Sequence, residues 1–348
     1  MFKTFALLAV SAIALTACGD AATGGAGGAR DQVKIVGSST VYPFSSAVAE
    51  TFGRANPGFK TPVVESTGTG AGMKLFCAGV GANHPDIENA SRRIKKSEFE
   101  DCKKNGVTDI VEIQVGIDGL ALIESNAGPK MALTVADIYK AIAANPYGKP
   151  NSAKTWKDVN PTLPATAIKV FGPPSTSGTR DSLAELILDK GCNANPEMEA
   201  LKKSDADKHK EICTRVREDG VYVESGENDN LIVQKLTGNP DAIGVLGYSF
   251  LEENLKDVRG IAINGVAPTY ETIAGFTYPG ARALYIYVKG AHLKAIPGLK
   301  EYVAEYAKAW NPGGYLAKRG LIAAPDDVRA KNAEIVQKLT LMTGDDLS

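Results

Sequence analysis

The stretch Pro174-Ser175-Thr176-Ser177-Gly178-Thr179-Arg180-Asp181 concentrates hydroxyls, a glycine that admits close backbone approach, and an arginine fork. Ahead of it, Ala167-Ile168-Lys169-Val170-Phe171-Gly172 is short, apolar and β-branched, which predicts a buried strand. Behind it, residues 182–188 are good helix formers with an apolar face. A strand therefore runs into a Ser/Gly/Thr turn and then into a helix. The first N–H groups of that helix lack intrahelical partners, and the aligned peptide dipoles favour negative charge there. Anion binding is the chemistry this turn can do. One such turn, taken alone, is equally well an ordinary N-cap beside a surface arginine.

The arrangement recurs. Val33-Lys34-Ile35-Val36 predicts a strand that leads into Gly37-Ser38-Ser39-Thr40-Val41-Tyr42-Pro43 and a helix opened by the proline. Pro62-Val63-Val64-Glu65-Ser66 leads into Thr67-Gly68-Thr69-Gly70-Ala71-Gly72 and a second helix. That glycine run has neither the spacing of a dinucleotide fold nor the ending of a P-loop. On parallel strands, the three turns project from the carboxyl edges, where open α/β folds bind ligands, so one shared anion site is expected.

Two further segments add charge. Asn89-Ala90-Ser91-Arg92-Arg93 ends a short strand; Arg92 is expected to face inward and Arg93 solvent. Asp118 is the only charge in the second half of the long apolar strand around residues 111–123. Burying a lone carboxylate is costly, so Asp118 should meet an arginine or accept a proton from a ligand.

The elements that must position these residues follow from the rest of the chain. Its 348 residues suit two domains, and 44% hydrophobic with 23% charged residues is ordinary for a globular protein. A net charge of −1, without basic runs, gives no footprint for nucleic acid. Residues 1–17 read as a signal peptide: Lys3, then an apolar stretch too short for a permanent span. It ends in Leu15-Thr16-Ala17-Cys18, which resembles a bacterial lipobox with Cys18 as the lipidated residue. Residues 18–31 form a Gly-rich tether with a reach of roughly 20 Å. Expectations are a periplasmic or cell-envelope lipoprotein that meets the membrane through its anchor.

Apart from Cys18, the cysteines are Cys77, Cys102, Cys192 and Cys213. In an oxidising compartment an even number suggests two disulfides, with three pairings open. Pairing by proximity gives Cys77–Cys102 and Cys192–Cys213, each worth about 3 kcal/mol on the chain-entropy model. No metal site is expected: C-x-x-C spacing is absent, and His84, His209 and His292 are read as clustering with none of the cysteines.

In order behind the lipobox, GSSTVYP, STGTGAGMK, NASRRI, IDGLAL and GPPSTSGTRD resemble the phosphate-binding component of the high-affinity phosphate ABC transporter. The resemblance runs from about residue 33 to the C-terminus. It implies an α/β, two-lobed periplasmic binding protein fold (type II), with two mixed sheets flanked by helices and two crossing strands as hinge. Residues 116–123 and 281–288 are the expected crossings, with lobe I at 32–116 and 279–348 and lobe II at 117–278. The implied ligands are Ser39, Thr40 and the Val41 N–H, then Thr69 and Gly70, then Ser177, Gly178 and Thr179. Some members carry an arginine where this chain has Pro173, so Arg180 is expected to supply that charge. Those members also carry an aspartate where this chain has Arg92, so Asp118, or next Asp181, is expected to be the acceptor.

The expected function is capture of inorganic phosphate, without a cofactor, and delivery to inner-membrane permease subunits, by a monomer. Another oxyanion or an extracellular scavenger is the alternative. A phosphoesterase using Ser177 or Ser39 is weaker, since no G-x-S-x-G elbow occurs.

Overall fold

A computed structural model describes residues 30–226 and 229–347. The expected signal peptide, Cys18 and nearly all of the tether lie outside the described residues. Eleven strands are present among the described residues: β1 (Lys34–Gly37), β2 (Val63–Ser66), β3 (Ile87–Ala90), β4 (Ile110–Ser125), β5 (Ala132–Leu133), β6 (Val170–Gly172), β7 (Tyr222–Glu224), β8 (Ile243–Gly247), β9 (Val258–Gly260), β10 (Ala262–Ile263) and β11 (Ala281–Lys289). Their main sheet runs β2-β1-β3-β11-β4-β8-β6-β7, with β9 also on β4 and β5–β10 apart. Helices flank this curled mixed sheet, the α/β class expected. The two expected sheets are continuous, because the 16-residue β4 belongs to both.

Strand direction explains where a site can form. β2, β1 and β3 are parallel, as are β7, β6 and β8. β11 runs antiparallel to β3 and β4, and β4 antiparallel to β8. Each parallel set is thus a small α/β unit, joined to the other through the long antiparallel pair β4–β11. The carboxyl ends of β1 and β6 then meet over that pair.

Packing divides at the same place. Val111, Ile113 and Val115 of β4 share a core with Leu284, Ile286 and Val288 of β11 and with the helices Tyr42–Ala55 and Leu299–Ala309. From Ile117 onward β4 belongs to a different core, built with β6 and β8 and the helix Val135–Ile142. That helix begins on a reciprocal capping box: Thr134 caps the Asp137 N–H while Asp137 reaches back.

A third passage accompanies β4 and β11. Leu321 belongs to the first core, whereas Ile322 and Ala324 belong to the second. Ile322 exchanges backbone hydrogen bonds with Ile117 at 2.9 and 3.1 Å. Gly116 and Gly119 make this contact possible: a Cβ on either would lie 2.5 Å from Leu321 Cδ1 or 2.6 Å from Ile322 Cδ1.

Residues 196–214 form two helices, Pro196–Ser204 and Ala206–Thr214, broken at Asp205, which caps the Lys208 N–H at 3.0 Å. After Gly178–Ser182 the chain widens into a π-helix, Leu183–Leu188, before Asp189–Asn193.

Cys77–Cys102 and Cys192–Cys213 are joined, the pairs expected from proximity. The reading of the histidines needs one correction. His209 does stand with cysteines, its ring nitrogen within 4.8 Å of the Cys192 and Cys213 sulfurs, because one helical turn separates it from Cys213. No helix among the described residues is long and apolar enough to cross a membrane.

Candidate functional site

The first turn leaves β1 at Gly37, whose backbone φ of +125° is left-handed territory that favours glycine. Ser38 is buried, and its Oγ lies 3.2 and 3.3 Å from the Thr40 and Val41 N–H groups. Pro43 sits in the first turn of the helix that follows. The third turn leaves β6, and Ser177 caps the next helix by accepting the Thr179 N–H at 3.2 Å. Gly178 and Thr179 present the first helical N–H groups there.

These two turns touch. A Cβ built on Gly178 would lie 2.8 Å from Thr40 Cα and 3.2 Å from Ser39 O. The Thr40 hydroxyl donates to Gly178 O at 3.3 Å, and the Ser39 hydroxyl donates to the Asp181 carboxylate. The cleft between the two α/β units is therefore closed. Against this contact lies a cavity of about 240 Å³, lined by Thr40, Asp118, Ser177, Gly178 and Thr179 among the expected residues. Phe44, Asp229, Ser249, Phe250 and Arg319 complete much of its wall.

Asp118 enters from the crossing strand β4. It pairs with Arg282 rather than with Arg92: Arg282 Nε lies 3.0 Å from Asp118 Oδ2, which also accepts the Ser182 hydroxyl at 2.6 Å. Both bonds fall on Oδ2. Arg282 stands opposite Asp118 in the β4–β11 register, only 8% exposed. Its Nη2 donates to Thr40 Oγ1 at 2.8 Å and to Ser182 Oγ at 2.7 Å, and its Nη1 pairs with Glu185.

The other expected residues are placed elsewhere. Thr69 is buried with its hydroxyl 3.1 Å from Ser91 Oγ, and Gly70 is exposed; neither lines the cavity. Arg92 does not face the cavity, because Glu98 takes its guanidinium in a two-pronged pair at 2.7 and 2.8 Å. Arg93 pairs with Glu112 and Asp346. Arg180 lies 4.4 Å from the centre of the Tyr222 ring and donates to Pro173 O at 3.3 Å, away from the cavity wall.

Beneath the first and second turns lies Glu88 of β3, fully buried. Neither carboxylate oxygen has a hydrogen-bond partner among the described residues. Burial pushes its carboxyl well above the usual range; Arg92 opposes the rise and Glu98 adds to it. The folded state therefore holds Glu88 neutral over a span where the unfolded chain has lost the proton. There the folded state binds more protons, so stability falls as pH rises through that span. Glu88→Gln removes this slope. Its melting temperature, relative to the parent's, should rise as the pH climbs above the ordinary carboxyl range; a constant difference would show that Glu88 is not held neutral.

A family model described as a PBP superfamily domain matches residues 22–309. The chain is 32% identical to Protein SphX of Synechococcus elongatus over 304 residues, covering 85% of this chain and 78% of that one. It is 31% identical to the phosphate-binding protein PstS of Staphylococcus saprophyticus over 310 residues, covering 87% and 84%. A crystal structure described as a possible phosphate binding protein from Planctomyces limnophilus superposes with a TM-score of 0.70 at 28% identity, covering 88% of this chain and 98% of that one. A structure of an ABC-type phosphate transport receptor from Vibrio cholerae, at 22% identity and a TM-score of 0.55, shares the fold. With the doubled α/β units, the two facing turns and these likenesses in hand, the chain belongs to the PBP superfamily, within the family of the phosphate-binding protein PstS.

Proposed function

We propose that this protein captures inorganic phosphate in its cleft and hands it to the permease of an ABC transporter. The observation that carries the reading is the composition of the closed cavity. Thr40, Ser177, Gly178 and Thr179, hydroxyl-bearing or at a helix N-terminus, line it together with a carboxylate, Asp118. Donors alone suit any oxyanion; donors with a carboxylate suit one that still carries a proton. The relatives named as phosphate-binding proteins support the same ligand. The proposed lobes are 32–116 with 279–348 and 117–278, with residues 322–324 packing into the second.

A binding role is favoured over hydrolysis because no histidine serves the two candidate serines. His209 is held by Asn193, His292 by Asp86, and His84 lies beside Gly79. Ser39 donates to Asp181, and Ser177 caps its helix. Export, lipidation at Cys18, residence in the periplasm or cell envelope and a monomeric state complete the proposal.

Calorimetry on the mature protein, stripped of bound anion, tests it. Phosphate should bind one to one with a dissociation constant at or below roughly 1 μM, equivalent to about −8 kcal/mol. A chromogenic phosphoester should not turn over. Millimolar phosphate affinity would remove the transport reading, and turnover would replace it with an enzyme.

A further inference from the structure

We propose that Arg282 is the latch of the cleft, a positioning residue that couples closure to the orientation of the acceptor carboxylate. The proposal rests on the reading of the cavity as the anion site. A guanidinium carries five N–H donors in a rigid plane, and here its nitrogens reach four separate partners. Nε takes Asp118 on the crossing strand β4. Nη1 takes Glu185, and Nη2 takes both Ser182 in the third turn's helical run and Thr40 in the first turn.

The position of the residue gives these bonds their meaning. Arg282 lies on β11 directly across from Asp118, where β4 passes from one core to the other. Opening the cleft carries the turn bearing Thr40 away from the unit bearing Ser182 and Glu185. Arg282 stands at the crossing between the two, so its bonds to Thr40 on one side and to Ser182 and Glu185 on the other cannot all survive that separation. A buried, charge-assisted bond made in the closed state alone biases the protein toward closure. The same side chain, with Ser182, occupies Asp118 Oδ2 and so leaves Oδ1 for the ligand. Closure and acceptor geometry are thereby tied to one group.

Lysine supplies charge but only a compact ammonium, which cannot span four partners. Arg282→Lys should weaken phosphate binding roughly 10- to 100-fold, the range for one charge-assisted bond, and Arg282→Gln at least as much. Both should raise the radius of gyration of the ligand-free protein in solution scattering toward an open form, a readout that needs no ligand. In the same variants the pH profile of phosphate affinity should change, because Asp118 is no longer held. Glu185→Gln, which spares Thr40, should shift the scattering less. Variants that fold, scatter like the parent and keep its pH profile would overturn the latch. Failure of the parent to bind phosphate would instead overturn the anion-site reading, leaving the scattering comparison to judge the latch by itself.

Discussion

Gly178→Val should cost this protein at least two orders of magnitude in phosphate affinity while leaving its fold and melting behaviour nearly unchanged. Gly178 opens the helix Gly178–Ser182, a position where any side chain is conformationally acceptable. What a side chain meets there is the opposite turn: Thr40 Cα at 2.8 Å and Thr40 N and Ser39 O at 3.2 Å from the new Cβ alone. These are backbone atoms and cannot swing aside. The two turns must therefore separate, which also breaks the bonds from Thr40 to Gly178 O and from Ser39 to Asp181. Donors held apart in an open cleft are solvated and no longer converge on one anion. Gly70→Ala is the matched control, since a Cβ there meets nothing within 4 Å. Calorimetry and solution scattering on both variants check the expectation. A Gly178→Val protein that binds within a few-fold of the parent would mean that the closed contact is not the binding state.

The contrast between these two glycines shows what could be read from the chain. Both stand in Ser/Thr/Gly turns at helix N-termini, and the turn chemistry is legible in each. Which turns converge is a matter of strand order, and strand order is long-range. β1 and β6 end at one cavity because the antiparallel pair β4–β11 lies between their two units. The turn after β2 sits at the sheet's far edge and meets Ser91 instead. The small neighbours of Arg92 point it inward, but Glu98, in the first turn of the next helix, captures it first.

Arg282 carries a local signal. It is a cation near the start of one long apolar strand, as Asp118 is the only charge in the second half of the stretch 111–123. The cost of burying an unpaired charge applies to both, and pairing one with the other satisfies both. The register that sets Arg282 opposite Asp118, however, depends on a bulge at Leu284/Tyr285 that no local pattern announces. The third passage at residues 321–324 was equally hidden, since it is held by two backbone bonds and by the smallness of Gly116 and Gly119.

The pairing of Asp118 with Arg282 sharpens the expectation for selectivity. Near neutral pH phosphate retains at least one proton and sulfate none, so only phosphate can satisfy an acceptor. Asp118 Oδ2 is occupied by Arg282 and Ser182, and on the proposed reading Oδ1 is the atom that takes the ligand's O–H. Against sulfate that oxygen would face another anion with no hydrogen between them. Sites built around such a bond reject an analogue lacking it by about 10⁴-fold. Asp118→Asn keeps the shape and can keep its oxygen toward Arg282, which turns the amide N–H₂ toward the cavity. A donor there repels the phosphate O–H and welcomes an unprotonated oxygen. The variant should lose phosphate affinity by about 100-fold or more, gain sulfate affinity, and so contract the ratio of the two towards unity. Parallel calorimetric titrations with phosphate and sulfate measure both terms. If Asp118→Asn still excludes sulfate and holds phosphate as before, the discriminating acceptor is another carboxylate. Asp229 is then the one to replace, since it lines the same cavity and Asp181 does not.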